Sequence, residues 1–255
     1  MVKSSVKMIV FDLDDTLLRT EKFISDRTRS VMAKCRDSGI KIVYATGRGG
    51  SADRIAPAAL FDGRIVMNGA VAKVGDSEVY RRMIPYQTAR PLLIACDRYG
   101  LKTTSELHGM HYSNFIVSDK WSGITNFKQV DFAQHDVDAE KLYAVVRSSE
   151  DALHIEKHMP DELYMVVSRN GLAQIMHKDA TKAMAVAALA RLLHIAPAEI
   201  VAFGDDLNDI DMLSFAGIGV AMSNAVDDVK AVCDFVCLSN DEDGPADWIE
   251  KNILI

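Results

Sequence analysis

Cysteine, proline and tryptophan are scarce in this chain of 255 residues, with four, six and two copies. Cys35, Cys96, Cys233 and Cys237 form no CxxC pair, and four scattered cysteines make no disulfide framework. Cys233 and Cys237 stand four apart with no further ligand nearby, which excludes the usual zinc patterns. Reduced, mostly buried thiols in a cytoplasmic protein are therefore expected. Long apolar runs are missing too. The longest spans 183–190, far short of the ~20 residues that cross a bilayer. Near the start only Met8, Ile9, Val10 and Phe11 are continuously apolar, too short a run for a secretion signal. Positive charge is in deficit: 29 Lys+Arg against 36 Asp+Glu leave a net −7. That balance argues against nucleic-acid binding and against an anionic membrane surface.

What is present is ordinary globular material. Hydrophobic residues make up 49% and charged residues 25%, enough apolar side chain to offset the ordering entropy of a folded core. The length admits one large domain or two smaller ones. Met8 to Phe11 is apolar on both faces, as a buried parallel strand must be. Ser25 or Asp26 then offers a helix N-cap, and Val31, Met32 and Cys35 share a helical face that stops at Gly39. A second strand at 40–45 runs into Thr46, and a third at 64–67 into Asn68. This alternation predicts a parallel sheet with crossover helices, a Rossmann-like α/β core.

The pattern changes between 84 and 178. Helix is expected at 87–99 and 150–158, and wholly or partly at 138–147. Strands are expected at 163–168 and 172–177, around the hairpin signal Asn170-Gly171. The α/β alternation then resumes: a helix at 181–193, strands at 199–203 and 218–222, a short helix at 210–216, and a last strand and helix. The reading is a core formed by 1–83 and 179–255, with an α+β cap at 84–178 inserted between its halves.

Three polar clusters follow buried strands directly. They are Asp12-Leu13-Asp14-Asp15-Thr16, Thr46, and Asp205-Asp206-Leu207-Asn208-Asp209. Open parallel sheets bind ligands at the carboxyl ends of their strands, so these clusters should meet at one edge. That many carboxylates repel one another unless a cation neutralises them. A hard divalent ion with oxygen ligands is the expected partner, Mg²⁺ foremost.

These segments resemble a known family. Asp12 to Leu18, Ala45-Thr46-Gly47-Arg48, Asn68-Gly69-Ala70, Lys182, and Gly204 to Leu213 are similar to the motifs of haloacid-dehalogenase-like phosphatases. More narrowly they resemble the Cof-like group, whose large α/β cap lies between the second and third motifs. The tail Ser239-Asn240-Asp241-Glu242-Asp243-Gly244 also resembles that group. The resemblance implies Asp12 as the nucleophile that forms an aspartyl phosphate, and Asp14 as general acid and then general base. It implies Thr46, Gly47, Arg48, Asn68 and Asn208 as phosphate or substrate contacts. It implies Lys182 as the charge that steadies phosphoryl group and nucleophile. Asp12, the Asp14 carbonyl, Asp205 and Asp209 are implied as the Mg²⁺ site. Two positions depart from the group: Asp15 stands where it usually has Gly, and Ala183 follows Lys182 where Gly is usual.

The expected activity is hydrolysis of a small phosphorylated metabolite, a sugar phosphate or a phosphorylated cofactor, by a monomer or homodimer. A phosphomutase on the same scaffold and a non-catalytic phosphometabolite-binding protein are the alternatives. Cap candidates for substrate contact are Glu106, His108, His111, Tyr112, Asn114, Arg169 and His177. His154 and His158, spaced i and i+4 with no third ligand, read as an exposed helix face. The net charge does not oppose an anionic substrate. It equals in number the acids of two motifs, Asp12, Asp14, Asp15, Asp205, Asp206, Asp209 and Asp211, and leaves the rest of the chain neutral.

Overall fold

A computed structural model describes residues 6–168 and 170–254. The chain divides into two compact units, 1–81 with 181–255, and 82–180. In chain order the first unit opens with β1 (Met8–Phe11), α1 (Asp26–Asp37), β2 (Lys41–Ala45), α2 (Ala52–Ile55), β3 (Gly63–Val66), β4 (Val71–Val74) and β5 (Ser77–Arg81). The second unit holds α3 (Tyr86–Arg98), β6 (Thr103–Leu107), β7 (Met110–Ser113), β8 (Phe127–Gln129), β9 (Lys141–Val145), α4 (Ser149–His158), β10 (Leu163–Val167) and β11 (Leu172–His177). The chain then returns to the first unit with α5 (Lys182–Leu192), β12 (Ile200–Gly204), α6 (Ile210–Phe215), β13 (Ile218–Met222), α7 (Asp227–Val232), β14 (Phe235–Cys237) and α8 (Gly244–Asn252).

The first unit is built on one eight-stranded sheet of order β14-β13-β12-β1-β2-β3-β4-β5. Its centre is parallel: β1 pairs with β2 on one side and with β12 on the other. All four β1 residues are fully buried, which is why their sequence shows no alternation. Phe11 and Phe203 stack at 5.2 Å across the β1–β12 pair, and Trp248 closes edge-on against Phe203. β4 and β5 extend the sheet antiparallel, beyond the expected parallel strands. Ser25 caps α1 by accepting the Thr28 N–H, and Thr181 caps α5 by accepting that of Met184.

The second unit has a six-stranded sheet of order β10-β11-β9-β6-β7-β8 with α3 and α4 packed on it. β10 and β11 pair antiparallel across the turn holding Asn170 and Gly171. Gly171 takes φ +75°, and a Cβ there would lie 2.5 Å from the Val146 carbonyl oxygen. The helix expected across 138–147 is corrected. Residues 141–145 form β9, hydrogen-bonded to β6 on one side and β11 on the other. Leu142 and Ala144 enter the core while Tyr143 and Val145 face the opposite side. Pairing on both edges outweighs the helix propensity of Ala139, Glu140, Lys141 and Leu142. The four cysteines are free thiols, with Cys35, Cys96 and Cys237 buried. Among the described residues no helix is long and apolar enough to cross a membrane.

Candidate active site

The first polar cluster begins one residue beyond β1. The Asp12 N–H still donates to the Phe203 carbonyl at 3.0 Å, so the side chain is fixed by the last rung of the β1–β12 ladder. Asp205 follows β12 directly, and Lys182 is the first residue of α5. Gly69, at φ +103°, lets the Asn68-Gly69 turn reach the start of α5. A Cβ there would stand 2.1 Å from the Thr181 carbonyl oxygen.

At the centre lies a buried three-membered charge cluster. Lys182 Nζ donates to Asp12 Oδ1 at 2.5 Å and to Asp209 Oδ1 at 2.6 Å. The other Asp209 oxygen accepts the N–H groups of Asp205 at 3.0 Å and Asp206 at 3.1 Å. Asp209 thus joins the ammonium to the loop after β12, and Gly204 leaves the room. A Cβ at Gly204 would sit 2.6 Å from the Asp209 side chain. Asp205 Oδ1 accepts the Thr16 hydroxyl at 2.7 Å.

Burial raises the Asp12 carboxyl well above its usual range, reinforced by Asp209 and Asp205 and opposed by Lys182. Burial likewise pushes Asp205 up, to about 7, against the Thr16 hydrogen bond. Lys182 is raised: burial disfavours its charge, but Asp12 and Asp209 outweigh that loss. Oxygens of Asp12, Asp205 and Asp209 lie within 4.8 Å of one another. A set of hard oxygen donors, strained by its own repulsion and with one lysine as internal counter-charge, fits a divalent cation such as Mg²⁺. The Asp14 carboxylate is not part of this group.

Asp14 points elsewhere. Arg48 grips it through Nε at 2.5 Å and Nη2 at 2.6 Å, and Lys22 Nζ adds a contact of 3.1 Å. Burial would raise this carboxyl, but the Arg48 and Lys22 hydrogen bonds prevail and it is lowered. Thr46 is buried after β2, and its hydroxyl oxygen accepts the Arg48 N–H at 3.2 Å. Gly47 passes close to Asn68, where a Cβ would meet Oδ1 at 2.7 Å. Asn208 Nδ2 donates to Asn68 Oδ1 at 3.1 Å, joining the β3 and β12 loops. Of the residues singled out in the core motifs, Asp12 and Asp209 hold Lys182, Arg48 holds Asp14, and Asn68 and Asn208 hold each other. The contacts of Thr16 and Lys22 were not foreseen. The hydroxyl position in the first motif is the one signal that pointed to Thr16.

The second unit carries its own polar cluster. Tyr143 donates to Glu106 Oε2 at 2.7 Å, His111 Nε2 lies 3.8 Å from that oxygen, and the buried His111 Nδ1 has no partner among the described residues. His108 is exposed beside Glu140. Tyr112 packs on the His135 ring. Asn114 is structural: it ties the Thr103 N–H to the Leu101 carbonyl and Asp97. His177 Nδ1 accepts the Asp179 N–H. His154 stacks on Tyr99 at 3.9 Å, and its ring lies 4.4 Å from that of His158. Arg169 lies outside the described residues.

Comparison with known proteins gives a consistent result. The family model for haloacid dehalogenase-like hydrolases matches residues 9–249. The chain is 29% identical to the 5-amino-6-(5-phospho-D-ribitylamino)uracil phosphatase YcsE of Bacillus subtilis (strain 168), covering 98% of this chain and 96% of that protein. It is 26% identical to phosphatase YwpJ of the same organism, covering 98% and 100%. Among solved structures, the phosphatase BT1666 of Bacteroides thetaiotaomicron superposes with a TM-score of 0.85 at 28% identity, covering 97% of this chain and 95% of that one. The subclass IIB sugar phosphatase BT4131 gives 0.81 at 26% identity, covering 96% and 98%.

Proposed function

The chain belongs to the haloacid dehalogenase-like hydrolases, and on that premise we propose that it is a Mg²⁺-dependent phosphatase acting on a small phosphorylated metabolite through an aspartyl phosphate. The observation that carries this reading is the separation of two aspartates on one loop. Asp12 is tied to a buried lysine beside two further carboxylates, while Asp14 faces two cations and none of that group. One loop thereby supports two roles, as phosphoryl transfer to a carboxylate requires.

An oxygen of Asp12 attacks phosphorus, and the bond to the leaving oxygen breaks. A carboxylate is a weak nucleophile, so positioning and charge neutralisation carry the rate. Lys182 holds Asp12 in line and offsets negative charge on the phosphoryl oxygens. Thr46 accepts from Arg48 with its oxygen, which leaves the hydroxyl proton for a phosphoryl oxygen. Asp14 gives its proton to the leaving oxygen and then takes one from the water that attacks the aspartyl phosphate. Asp14 can serve as the acid only once it holds a proton, so substrate must loosen the Arg48 grip. Asp12, Asp205 and the Asp14 carbonyl would hold Mg²⁺, with Asp209 behind them shaping the loop and the ion's water shell. The ion would neutralise the phosphoryl oxygens during transfer.

The inserted unit is assigned substrate selection, with the Glu106, Tyr143 and His111 cluster as its polar feature. The relatives' names support a sugar phosphate or a related small phosphorylated metabolite as the broad substrate class. Four free thiols fit a reducing compartment, and the cytoplasm is assigned on that basis. The test is hydrolysis of p-nitrophenyl phosphate with Mg²⁺, abolished by EDTA and by Asp12→Asn. Purified protein that hydrolyses neither this compound nor a broad phosphometabolite panel overturns the assignment.

A further inference from the structure

Two non-glycine residues in the first unit adopt left-handed backbone conformations and hold each other's side chains. Asp15 has φ +59° and Lys22 has φ +64°, and Lys22 Nζ lies 3.0 Å from Asp15 Oδ1. Glycine would take the Asp15 conformation without strain, whereas a side chain there is uncommon. The carboxylate's partner is Lys22, and through it Asp15 draws an ammonium to within 3.1 Å of Asp14.

The arrangement is anchored on both sides. Asn224 donates to the Asp15 carbonyl at 2.7 Å. The turn carrying Lys22 closes by its N–H to the Arg19 carbonyl at 2.7 Å. Arg19 is held by Asp243 through two bonds, and Thr20 by Asp241 through two more. Lys22 is therefore a fixed cation on a tied turn. An ammonium has three donors, and two carboxylates take two of them. The side chain remains 39% exposed, so the third is open to a ligand. Arg48, on the same carboxylate, also keeps donors beyond the two that Asp14 uses.

We propose that Lys22, placed by Asp15, makes this enzyme select phosphomonoesters whose leaving group carries a second anionic group, a carboxylate or phosphate, next to the ester oxygen. This rests on the phosphatase reading above, with Asp14 serving the leaving oxygen. A group attached beside that oxygen falls within reach of the ammonium touching Asp14. A neutral hydroxyl there offers the spare donors little more than water does. An anion offers a charge-assisted hydrogen bond. Asp15 is a positioning residue in this scheme, and Lys22 is the one that touches substrate.

A matched pair of esters tests the idea: 2-phosphoglycerate and glycerol 2-phosphate, which differ by a carboxylate in place of a hydroxymethyl group. The readout is the ratio of their kcat/KM values, or of their inhibition constants against p-nitrophenyl phosphate hydrolysis if turnover is slow. The wild type should favour the acid. Lys22→Met should cut the ratio about tenfold, the scale of one charge-assisted hydrogen bond in a half-exposed site. Lys22→Arg should restore most of it, and Asp15→Gly should lower it less than Lys22→Met. A wild type without preference for the acid, or a ratio unmoved by Lys22→Met, overturns the proposal. A wild type that hydrolyses neither p-nitrophenyl phosphate nor any member of a broad phosphometabolite panel overturns the phosphatase reading itself.

Discussion

The Lys182 ammonium stands 2.5 Å from the Asp12 carboxylate, and both side chains are almost wholly withdrawn from water. The pair is unequal in consequence. Removing the lysine strands Asp12, Asp209 and Asp205 together, and breaking a buried ion pair costs about 3 kcal/mol or more. Lys182→Met should therefore lower both stability and turnover, with Mg²⁺ recovering part of the stability. Asp12→Asn instead relieves repulsion, so it should abolish turnover while melting no lower than wild type. Chemical denaturation and p-nitrophenyl phosphate assays of both variants check this asymmetry.

The same crowding sets a pH dependence. Burial raises Asp205 to about 7, above the ~3.9 of an unfolded aspartate. Between those values the metal-free native state binds more protons than the unfolded state. Its stability should therefore fall as pH rises from about 4 to about 7. A cation bound by the ionised carboxylates reverses this trend and releases protons. The gain in Tm on adding Mg²⁺ should accordingly be larger at pH 8 than at pH 6. Scanning calorimetry at the two pH values measures it, and equal gains would remove Asp205 from the metal set.

Gly69 links backbone geometry to the same lysine. Its φ of +103° and the 2.1 Å approach to the Thr181 carbonyl leave no place for a methyl group. Gly69→Ala must shift the turn or the first residues of α5, where Lys182 begins. A loss of about 2 kcal/mol or more is expected, larger than the usual glycine-to-alanine effect. Activity should fall with it, and denaturant unfolding beside a kcat measurement shows both.

In the second unit the Tyr143 hydroxyl is the donor that keeps Glu106 satisfied in its buried place. Tyr143→Phe removes that donor and leaves the carboxyl to burial, which already raises it. A loss of about 1–3 kcal/mol should follow. Glu106→Gln, which keeps an acceptor without the charge, should cost less. Urea denaturation ranks the two variants.

The parallel centre of the first unit was readable because β1, β2 and β12 are buried on both faces and appear as plain apolar runs. Asp12 and Asp205 followed from those runs, each placed by the strand that ends just before it. The inserted sheet was harder. Residues 141–145 look helical in isolation, and only pairing with β6 and β11 makes them a strand. Side-chain aim beyond a strand end was not readable either. Asp12 is still extended, but the chain leaves the strand after it and turns left-handed at Asp15. Arg48, expected as a phosphate or substrate contact, meets Asp14 from 34 residues away. A long-range pairing of that kind leaves no local signature.

That turn of Asp14 away from Asp12 yields the sharpest test of the two-step reaction. With p-nitrophenyl phosphate the leaving phenolate departs without a proton, so the first transfer needs no acid. The second step still needs a base to take a proton from water. Asp14→Asn should therefore accept the phosphoryl group from p-nitrophenyl phosphate and stall. A burst of p-nitrophenolate of one equivalent or less should appear, followed by slow or no turnover. An alkyl phosphate, whose alkoxide leaving group does need a proton, should give no burst. Intact-protein mass spectrometry after acid quench should find one phosphoryl adduct, and peptide mapping should place it on Asp12. A variant that turns over p-nitrophenyl phosphate at the wild-type rate would show that Asp14 supplies no base. An adduct absent during a burst would remove the covalent intermediate.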